Sequence, residues 1–363
     1  MAPGMASVTS PESRLEPLLL QLPHRPAAAE AAVARLGREA IADDARALGL
    51  LPLLSHYLPT EFSLSRKEEY AAKFCAARME STTLEAVRSL ENAGVEAIAL
   101  KGAVHAARLY PKPWLRPSGD VDLFVRAKHC DRAKVVLKRN GWRLDYDPRK
   151  FPLDFQHSVN FVGRNRLMLE LHWILTSGFQ GRFESEQVFA RSRWQTLSGG
   201  PVRILGPNDD VVFQAAHAAA HAFRGAKWLF DLKLTLQRSD YCWDEVIALA
   251  RAARVSAAVG MALYEARRRV GADVPAWVLE RLAPGLLRRM VARGLDALPD
   301  ENAWLRSSGL GLLLTDKVST RWGLQMMGPG LKRMALGANH IGRKLGTGPL
   351  VSERFQPAWS RRG

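Results

Sequence analysis

Two aspartates, Asp120 and Asp122, are the residues whose type and spacing point most directly to chemistry in this sequence. They open an apolar, β-like stretch that continues to Val125. Because successive side chains on a strand point to opposite faces, the two carboxylates share one face, while Val121 and Leu123 point into a core. Neighbouring carboxylates repel each other, and a cation between them removes that repulsion. Hard oxygen ligands of this kind suit Mg²⁺, which is usually shared with substrate phosphates.

A third acid fits the same pattern further along the chain. The alternation of apolar and polar residues predicts a β-hairpin with strands at 157–162 and 167–173. In the second strand the leucines face the core, and Glu170 and His172 face the other way. Glu170 is therefore the candidate third carboxylate of a metal site. His172 is either a group on the acceptor side of that site or a half-buried histidine with satisfied hydrogen bonds.

Four phrases, in this order along the chain, carry a resemblance to a known family. They are Leu100-Lys101-Gly102, Leu109-Tyr110-Pro111, Leu115-Arg116-Pro117-Ser118-Gly119-Asp120-Val121-Asp122-Leu123 and Leu169-Glu170-Leu171-His172-Trp173. A lone Asp-x-Asp would be a weak signal, but the joint occurrence resembles the uncharacterised nucleotidyltransferase family, from about residue 45 to about residue 275. This family is a branch of the polymerase-β-like nucleotidyltransferase superfamily. The resemblance implies an α/β (α+β) fold with a small mixed-sheet core, a helical N-terminal segment and a helical C-terminal domain.

The resemblance also implies the chemistry. In a two-metal arrangement Asp120 and Asp122 would bridge both ions, and Glu170 would hold the ion that activates an acceptor hydroxyl. The other ion would carry the triphosphate as pyrophosphate leaves. Mg²⁺ is the expected metal, with Mn²⁺ as an alternative, and an NTP, ATP on general grounds, is the expected substrate. The expected enzyme transfers NMP to a hydroxyl of a small molecule, a peptide or a protein.

The turn at Lys101-Gly102 is the expected phosphate-binding element. Gly102 lets a phosphate approach the backbone, and the N-terminus of the helix expected after it attracts anions. Most of the superfamily has a Gly-Ser pair here, so Lys101 or Arg116 could take over the role of the serine. The alternative is a plain turn glycine beside a solvated lysine. The expected phosphate-binding residues are Lys101, Gly102, Arg116, Ser118 and Gly119.

Beyond Pro207 the pattern becomes helical. We expect Pro207 to Asp210 to cap a helix at 211–224, which places His217 and His221 one turn apart on one face. That spacing could serve zinc, but no glutamate follows His217 and no third ligand is evident, so helix packing is the competing interpretation. The resemblance extends to both histidines and to residues 228–231, and it implies that this domain closes over the nucleotide. The residues expected behind the metal and phosphate ligands are His172, His217, His221 and Asp231.

The chain divides into five predicted regions. They are a mobile lead-in at 1–25, a helical segment at 26–94, the catalytic core at 95–206, a helical domain at 207–315 and a basic extension at 316–363. Helices are predicted at 27–48, 65–93, 103–110, 128–140, 243–254, 257–270 and 276–298.

Composition limits the class of protein. With 47% apolar and 24% charged residues over 363 positions, the chain is typical of a globular protein with room for two domains. Three widely spaced cysteines form neither a disulfide framework nor a zinc knuckle. No signal pattern and no apolar run of about 20 residues is present, so we expect a cytoplasmic protein without a transmembrane segment.

The net charge of +16 is concentrated at the C-terminus. Residues 317–363 hold nine basic residues and one acidic residue, a net charge of +8. Such a segment could hold an acidic partner, nucleic acid or an anionic membrane surface, and the competing interpretation is a solvated extension.

Two other functions remain open. One is a catalytically silent nucleotide-binding or partner-binding protein, which the missing Gly-Ser pair favours and the three acids disfavour. The other is a nucleic-acid-modifying transferase, supported only by the positive charge.

Overall fold

The protein is described by a computed structural model at residues 11–145, 157–163, 166–175, 183–221, 223 and 226–282. Within those ranges the chain forms thirteen α-helices and a seven-stranded mixed sheet, which confirms the predicted α/β class. The predicted basic extension at 316–363 lies outside the described residues, as do the part of the helical domain beyond residue 282 and the first ten residues of the lead-in.

The elements follow one another in a mixed order. The helices are α1 (Pro11–Gln21), α2 (Pro26–Leu36), α3 (Arg38–Ala47), α4 (Leu51–Tyr57), α5 (Arg66–Asn92), α6 (Ala103–Leu109), α7 (Cys130–Arg139), α8 (Ser185–Arg191), α9 (Pro207–Ala220), α10 (Ala226–Leu236), α11 (Trp243–Ala252), α12 (Ser256–Val270) and α13 (Ala276–Leu282). The strands are β1 (Ala97–Ala99), β2 (Asp120–Val125), β3 (Arg143–Asp145), β4 (Ser158–Val162), β5 (Met168–His172), β6 (Arg193–Leu197) and β7 (Gly200–Ile204).

The sheet has β2 at its centre, in the order β3-β4-β5-β2-β1-β7-β6. Strand β2 pairs antiparallel with β1 and parallel with β5. Strands β4 and β5 pair antiparallel, which confirms the predicted hairpin. Because β1 and β2 run in opposite directions, the end of β1 lies beside the start of β2. The two segments predicted to carry chemistry therefore meet at one edge of the sheet.

The two faces of the sheet carry different side chains. On one face the alternate residues of β2, including Val121 and Leu123, pack with buried residues of α5 and α7. On the opposite face Phe124 packs against Phe189 of α8 and belongs to the same apolar cluster as Phe213 of α9. That cluster holds α8 and α9 over the sheet. At the start of β2 the same face is polar, and the candidate site lies there.

The expected mobile lead-in needs correction. Residues 11–21 form α1, and its leucines at 15, 18 and 19 are fully buried, as is Leu22 directly after it. The buried Lys233 of α10 donates hydrogen bonds to the carbonyls of Leu19 at 3.1 Å, Leu20 at 3.0 Å and Leu22 at 2.5 Å. These bonds satisfy carbonyls that the end of a helix leaves without partners. The first helices thus share one hydrophobic cluster with α9 to α13.

Two further predictions about helices were wrong. The helix expected at 27–48 is broken at Gly37, whose φ of +91° ends α2 and starts α3. The expected capping of α9 by aspartates does not occur, since no side chain caps it. Asp209 instead forms a buried ion pair with Arg191, and Asp210 pairs with Arg108 and His105. These pairs fasten α9 to α8 and α6.

Membrane-spanning character is not found in the part of the chain that the structure describes. There, no helix combines the length and the apolar character needed to cross a bilayer.

Candidate functional site

The site is built around the first residues of β2. Asp122 is paired in register with Glu170 on the parallel strand β5, so both side chains project from the same face. Asp122 is buried, and its Oδ2 has no hydrogen-bond partner among the described residues. Asp120 projects from the same face two residues earlier, where the strand is exposed. A buried carboxylate oxygen without a partner is costly unless something binds it.

Lys101 approaches Asp122 from the end of β1. Its Nζ lies 3.1 Å from Asp122 Oδ1 and 3.5 Å from Nε2 of His217 on α9. The lysine therefore links the sheet to the helical part of the protein. Burial alone would raise the pKa of Asp122, but the Lys101 charge and the contact with His172 together outweigh it and lower that pKa, so the carboxylate is ionised at neutral pH.

Glu170 lies within a group of polar side chains from β4 and β5. Ser158 donates a hydrogen bond to Glu170 Oε1 at 2.5 Å, and His157 Nε2 lies 4.0 Å from the same oxygen. His172 Nε2 lies 3.4 Å from Glu170 Oε2 and 3.5 Å from Asp122 Oδ1. His172 thus bridges the two carboxylates on neighbouring strands.

The charges of this group depend on one another. Burial would lower the pKa of His172, but the Glu170 charge and hydrogen bonds to both carboxylates raise it to about 9. Burial would likewise raise the pKa of Glu170, yet the His172 charge holds it well below its ordinary value. The desolvated His157, with His172 beside it, has its pKa lowered to about 4. Partial burial and the nearby Asp122 raise the pKa of Asp120. At neutral pH His172 is therefore cationic and His157 is neutral.

The turn after β1 has the backbone shape that only glycine adopts easily. Gly102 has φ +59°, and a Cβ there would lie 3.3 Å from the carbonyl oxygen of Asp120. Arg116 holds the turn through two hydrogen bonds. Its Nη1 donates to Ser118 Oγ at 2.6 Å and to the Gly102 carbonyl oxygen at 3.4 Å. Gly119, the remaining expected phosphate-binding residue, is exposed with open space at its Cα.

Arg116 is occupied by a buried ion pair. Its guanidinium makes bidentate contacts with Asp231 of α10, including 2.7 Å from Nη2 to Oδ2, and Tyr110 donates to the same carboxylate at 2.7 Å. Arg116 is only 4% exposed, so its geometry does not favour the expected direct contact with a triphosphate. Instead, Arg116 fastens the Ser118 turn to the helical part of the protein through Asp231.

His217, His221 and Trp228 form a wall of aromatic side chains beside Lys101. The His217 ring lies 4.4 Å from the His221 ring, and Trp228 is in edge or tilted contact with both. Burial and the positive Lys101 lower the pKa of His217 well below its ordinary value, and burial lowers that of His221 to about 4. Both histidines therefore present neutral imidazoles at neutral pH.

Lys227, next to Trp228, is a basic residue at this wall. It was not among the site residues predicted from the sequence. Its Nζ donates to the Pro117 carbonyl at 3.3 Å, and no carboxylate lies within ion-pair distance of it in the described residues. Burial and the nearby Arg116 lower the pKa of Lys227, while the charges of Asp231 and Asp120 act in the opposite sense. An incompletely compensated lysine beside Asp120 is suited to an anionic ligand.

His157 is the second residue that the sequence did not single out. It directly precedes β4 and lies alongside the end of β5. The predicted hairpin already contained His157 at the start of its first strand, and strand pairing alone would place it near His172. For Lys227 no comparable local signal exists, because its position depends on how α10 packs against the turn at Pro117.

The sequence of the protein is similar to that of a known family. A model of a family described as uncharacterised nucleotidyltransferase matches residues 37–271, more than half of the 363-residue chain. No curated protein matches the chain. The matched range contains β1 to β7 and every residue of the site described above. The protein therefore belongs to the uncharacterised nucleotidyltransferase family.

Proposed function

We propose that the protein is a Mg²⁺-dependent nucleotidyltransferase that transfers NMP, with ATP as the expected donor, from an NTP to an acceptor hydroxyl. The observation that carries the proposal is the Asp122 carboxylate. It is buried, ionised, aligned with Glu170 on the neighbouring strand, and has one oxygen without a partner among the described residues. A fold stabilised only by packing has no need for such a group.

The residues that would hold Mg²⁺ are Asp120, Asp122 and Glu170. The fit rests on oxygen donors from two adjacent strands and on the unpartnered Asp122 Oδ2. Mg²⁺ bound there would neutralise the charge of the triphosphate and make an acceptor hydroxyl easier to deprotonate. Mn²⁺ has similar preferences and is the alternative metal.

The cations around the carboxylates would hold the triphosphate. Lys101 follows β1 and Lys227 lies at the start of α10, and the charges of both lysines act on Asp120. Gly102 leaves the backbone free of a Cβ at the turn after β1. Arg116 and Asp231 would act by fixing this turn, with Ser118 and Gly119 as its exposed part. Positioning of this kind is the main contribution of a protein to phosphoryl transfer.

The neutral imidazoles of His217 and His221, with Trp228 behind them, would form one wall of the nucleotide site. A neutral imidazole accepts or donates one hydrogen bond at each nitrogen, and an indole offers an apolar face to a base. The acceptor is a hydroxyl of a small molecule, a peptide or a protein, and His172 lies on its side of the site beside Glu170.

One observation favours a second candidate, a nucleotide-binding protein without catalysis. Lys101 Nζ lies 3.1 Å from Asp122 Oδ1, where its charge could replace that of a metal ion. In that case the nucleotide would bind through the two lysines without divalent metal. The two candidates differ in whether binding and transfer require Mg²⁺.

The test uses the full-length protein, each α-labelled NTP and Mg²⁺, with cell extract as the source of acceptor. Label incorporation and pyrophosphate release by the wild type, lost in the Asp120→Asn/Asp122→Asn variant, would support the transferase and identify the donor base. NTP binding that is equally strong with and without Mg²⁺, in the absence of transfer, would refute it in favour of the silent binding protein.

A further inference from the structure

Two histidines and a glutamate meet at one point beside Asp122. His157, Glu170 and His172 each present a ligand atom, and these atoms all lie within 4.8 Å of one another. Within the described ranges of the chain this is the one group of three or more metal-ligating side chains that lie so close together. Two of its three donors are imidazole nitrogens, which a site for Mg²⁺ alone does not require.

Sheet pairing accounts for the position of the two histidines. His172 on β5 is opposite Ser158 on β4, so His157, the residue before Ser158, lies directly alongside. The Trp173 amide donates to the His157 carbonyl at 3.0 Å and extends the pairing by one residue. The two imidazole rings are 5.7 Å apart, centroid to centroid. Both histidines are therefore placed by backbone hydrogen bonds.

The distances from His172 to the neighbouring carboxylates match those of a small coordination sphere. Metal bonds of about 2.0–2.1 Å in a tetrahedral site place the ligand atoms about 3.3–3.4 Å apart. His172 Nε2 lies 3.4 Å from Glu170 Oε2 and 3.5 Å from Asp122 Oδ1. His157 Nε2 lies farther away, 4.0 Å from Glu170 Oε1, and the three ligand atoms lie within 4.8 Å of one another. Asp122 Oδ1 lies 3.5 Å from His172 Nε2 but is outside the three-residue group, so the fourth coordination position is left open.

Outer contacts support the same assignment. Ser158 donates to Glu170 Oε1 at 2.5 Å, and such hydrogen bonds orient the ligands of metal sites. His172 Nε2 faces the two carboxylates, and a metal ion bound there would take the place of the proton that this nitrogen shares with them. Asp122 Oδ2, buried and without a hydrogen-bond partner in the described part of the chain, is aimed at no other protein group.

Imidazole donors decide which metal fits. Mg²⁺ strongly prefers oxygen ligands in an octahedral arrangement, whereas imidazole suits Zn²⁺ and neighbouring transition metals. We infer that His157, His172 and Glu170 form a site for a borderline divalent transition-metal ion of the Zn²⁺ type. The ion would lie on the acceptor side of the proposed nucleotidyltransferase site. A catalytic role for the ion rests on the proposed function, whereas its binding does not. Its binding is measurable without any transfer reaction.

The competing interpretation is a simple ion pair. His172, bridging Asp122 and Glu170, would then serve as a permanent counter-ion, and His157 would be an uninvolved neighbour. The two interpretations differ in the role of His157, which makes no contact shorter than 4.0 Å with the carboxylates in the absence of metal.

The test titrates the full-length, chelator-treated protein with Co²⁺ and records its visible absorption. We expect one Co²⁺ per chain with the intense bands of a four-coordinate site, displaced by equimolar Zn²⁺ and retained in millimolar Mg²⁺. His157→Gln should weaken binding by about tenfold or more. His24→Gln, which removes an exposed histidine elsewhere, should leave binding unchanged and so excludes surface histidines as the source.

Several results would overturn the inference: no Co²⁺ binding, the weak bands of a six-coordinate ion, displacement by Mg²⁺, or equal affinity in His157→Gln. Asp120→Asn separates this inference from the proposed function, because Asp120 is not in the histidine group. That variant should keep Co²⁺ binding and lose NMP transfer. NMP transfer by a wild-type protein that does not bind Co²⁺ would refute only the transition-metal site. Co²⁺ binding by a wild-type protein that transfers no NMP would refute only the proposed function.

Discussion

Raising the pH above about 6.5 is expected to destabilise the metal-free protein because of His172. In the folded protein the pKa of this histidine is raised to about 9 from its ordinary value of 6.5. Below pH 6.5 both the folded and the unfolded chain carry the proton, and the stabilisation from the Asp122 and Glu170 contacts is fully present. Between 6.5 and 9 only the folded chain carries it, so stability falls as pH rises, and above 9 the contribution is lost.

The size of the effect follows from the two pKa values. The separation between 6.5 and about 9 corresponds to about 3 kcal/mol in the free energy of unfolding. His172 is 4% exposed, so solvent screening does not remove this energy. The free energy of unfolding of a typical domain is about 5–15 kcal/mol, so a change of about 3 kcal/mol is readily measured.

The assay is urea unfolding followed by tryptophan fluorescence, in the presence of a chelator, at several pH values from 6 to 9. His172→Gln keeps a hydrogen-bonding side chain but has no titrating group. The difference in unfolding free energy between wild type and this variant should shrink by about 3 kcal/mol over that range. Parallel pH profiles for the two proteins would refute the assigned bridge between His172 and the two carboxylates.

Two further predictions concern the ion pair below the turn and the cation beside Asp120. Asp231→Asn should lower the free energy of unfolding by about 3–5 kcal/mol, because it leaves the Arg116 charge buried without a partner. Tyr110→Phe should cost less, about 1.5–3 kcal/mol, and equal losses in chemical denaturation would contradict this ranking. Lys227→Met should raise the KM for NTP about tenfold, the effect of losing about 1.4 kcal/mol of binding. Lys138→Met, on an exposed helix position, is the matched control, and an unchanged KM in Lys227→Met would exclude a phosphate contact.

The N-terminal region shows where local sequence patterns were insufficient. Its Pro, Ser and Ala content resembles a mobile segment, but the leucines of α1 fill a cluster formed by helices more than 200 residues later in the chain. The anchoring lysine, Lys233, gives no local sign of this role. Composition reports the average preference of a segment, whereas burial depends on whether a distant surface is available to cover it.

Strands β3, β6 and β7 also escaped prediction. β3 and β6 are the edge strands of the sheet, and their short runs include exposed polar residues such as Arg143 and Arg193. An edge strand needs no continuous apolar alternation, because its stability comes from hydrogen bonds to one neighbour. The inner strands β2 and β5 have a clear alternation and were predicted correctly, whereas β7, also an inner strand, begins with Gly200-Pro201 and has a weaker pattern.

The sequence by itself determined the family, the α/β class, the strands that carry Asp120, Asp122 and Glu170, and the face on which these acids lie. These features follow from local alternation and from short phrases of the chain. Only the tertiary structure decided which groups the acids meet. Lys101 reaches Asp122 because β1 and β2 are antiparallel, and Arg116 is bound by Asp231, 115 residues away. Periodicity states which way a side chain points, but its partners are fixed by long-range packing, which no local pattern encodes.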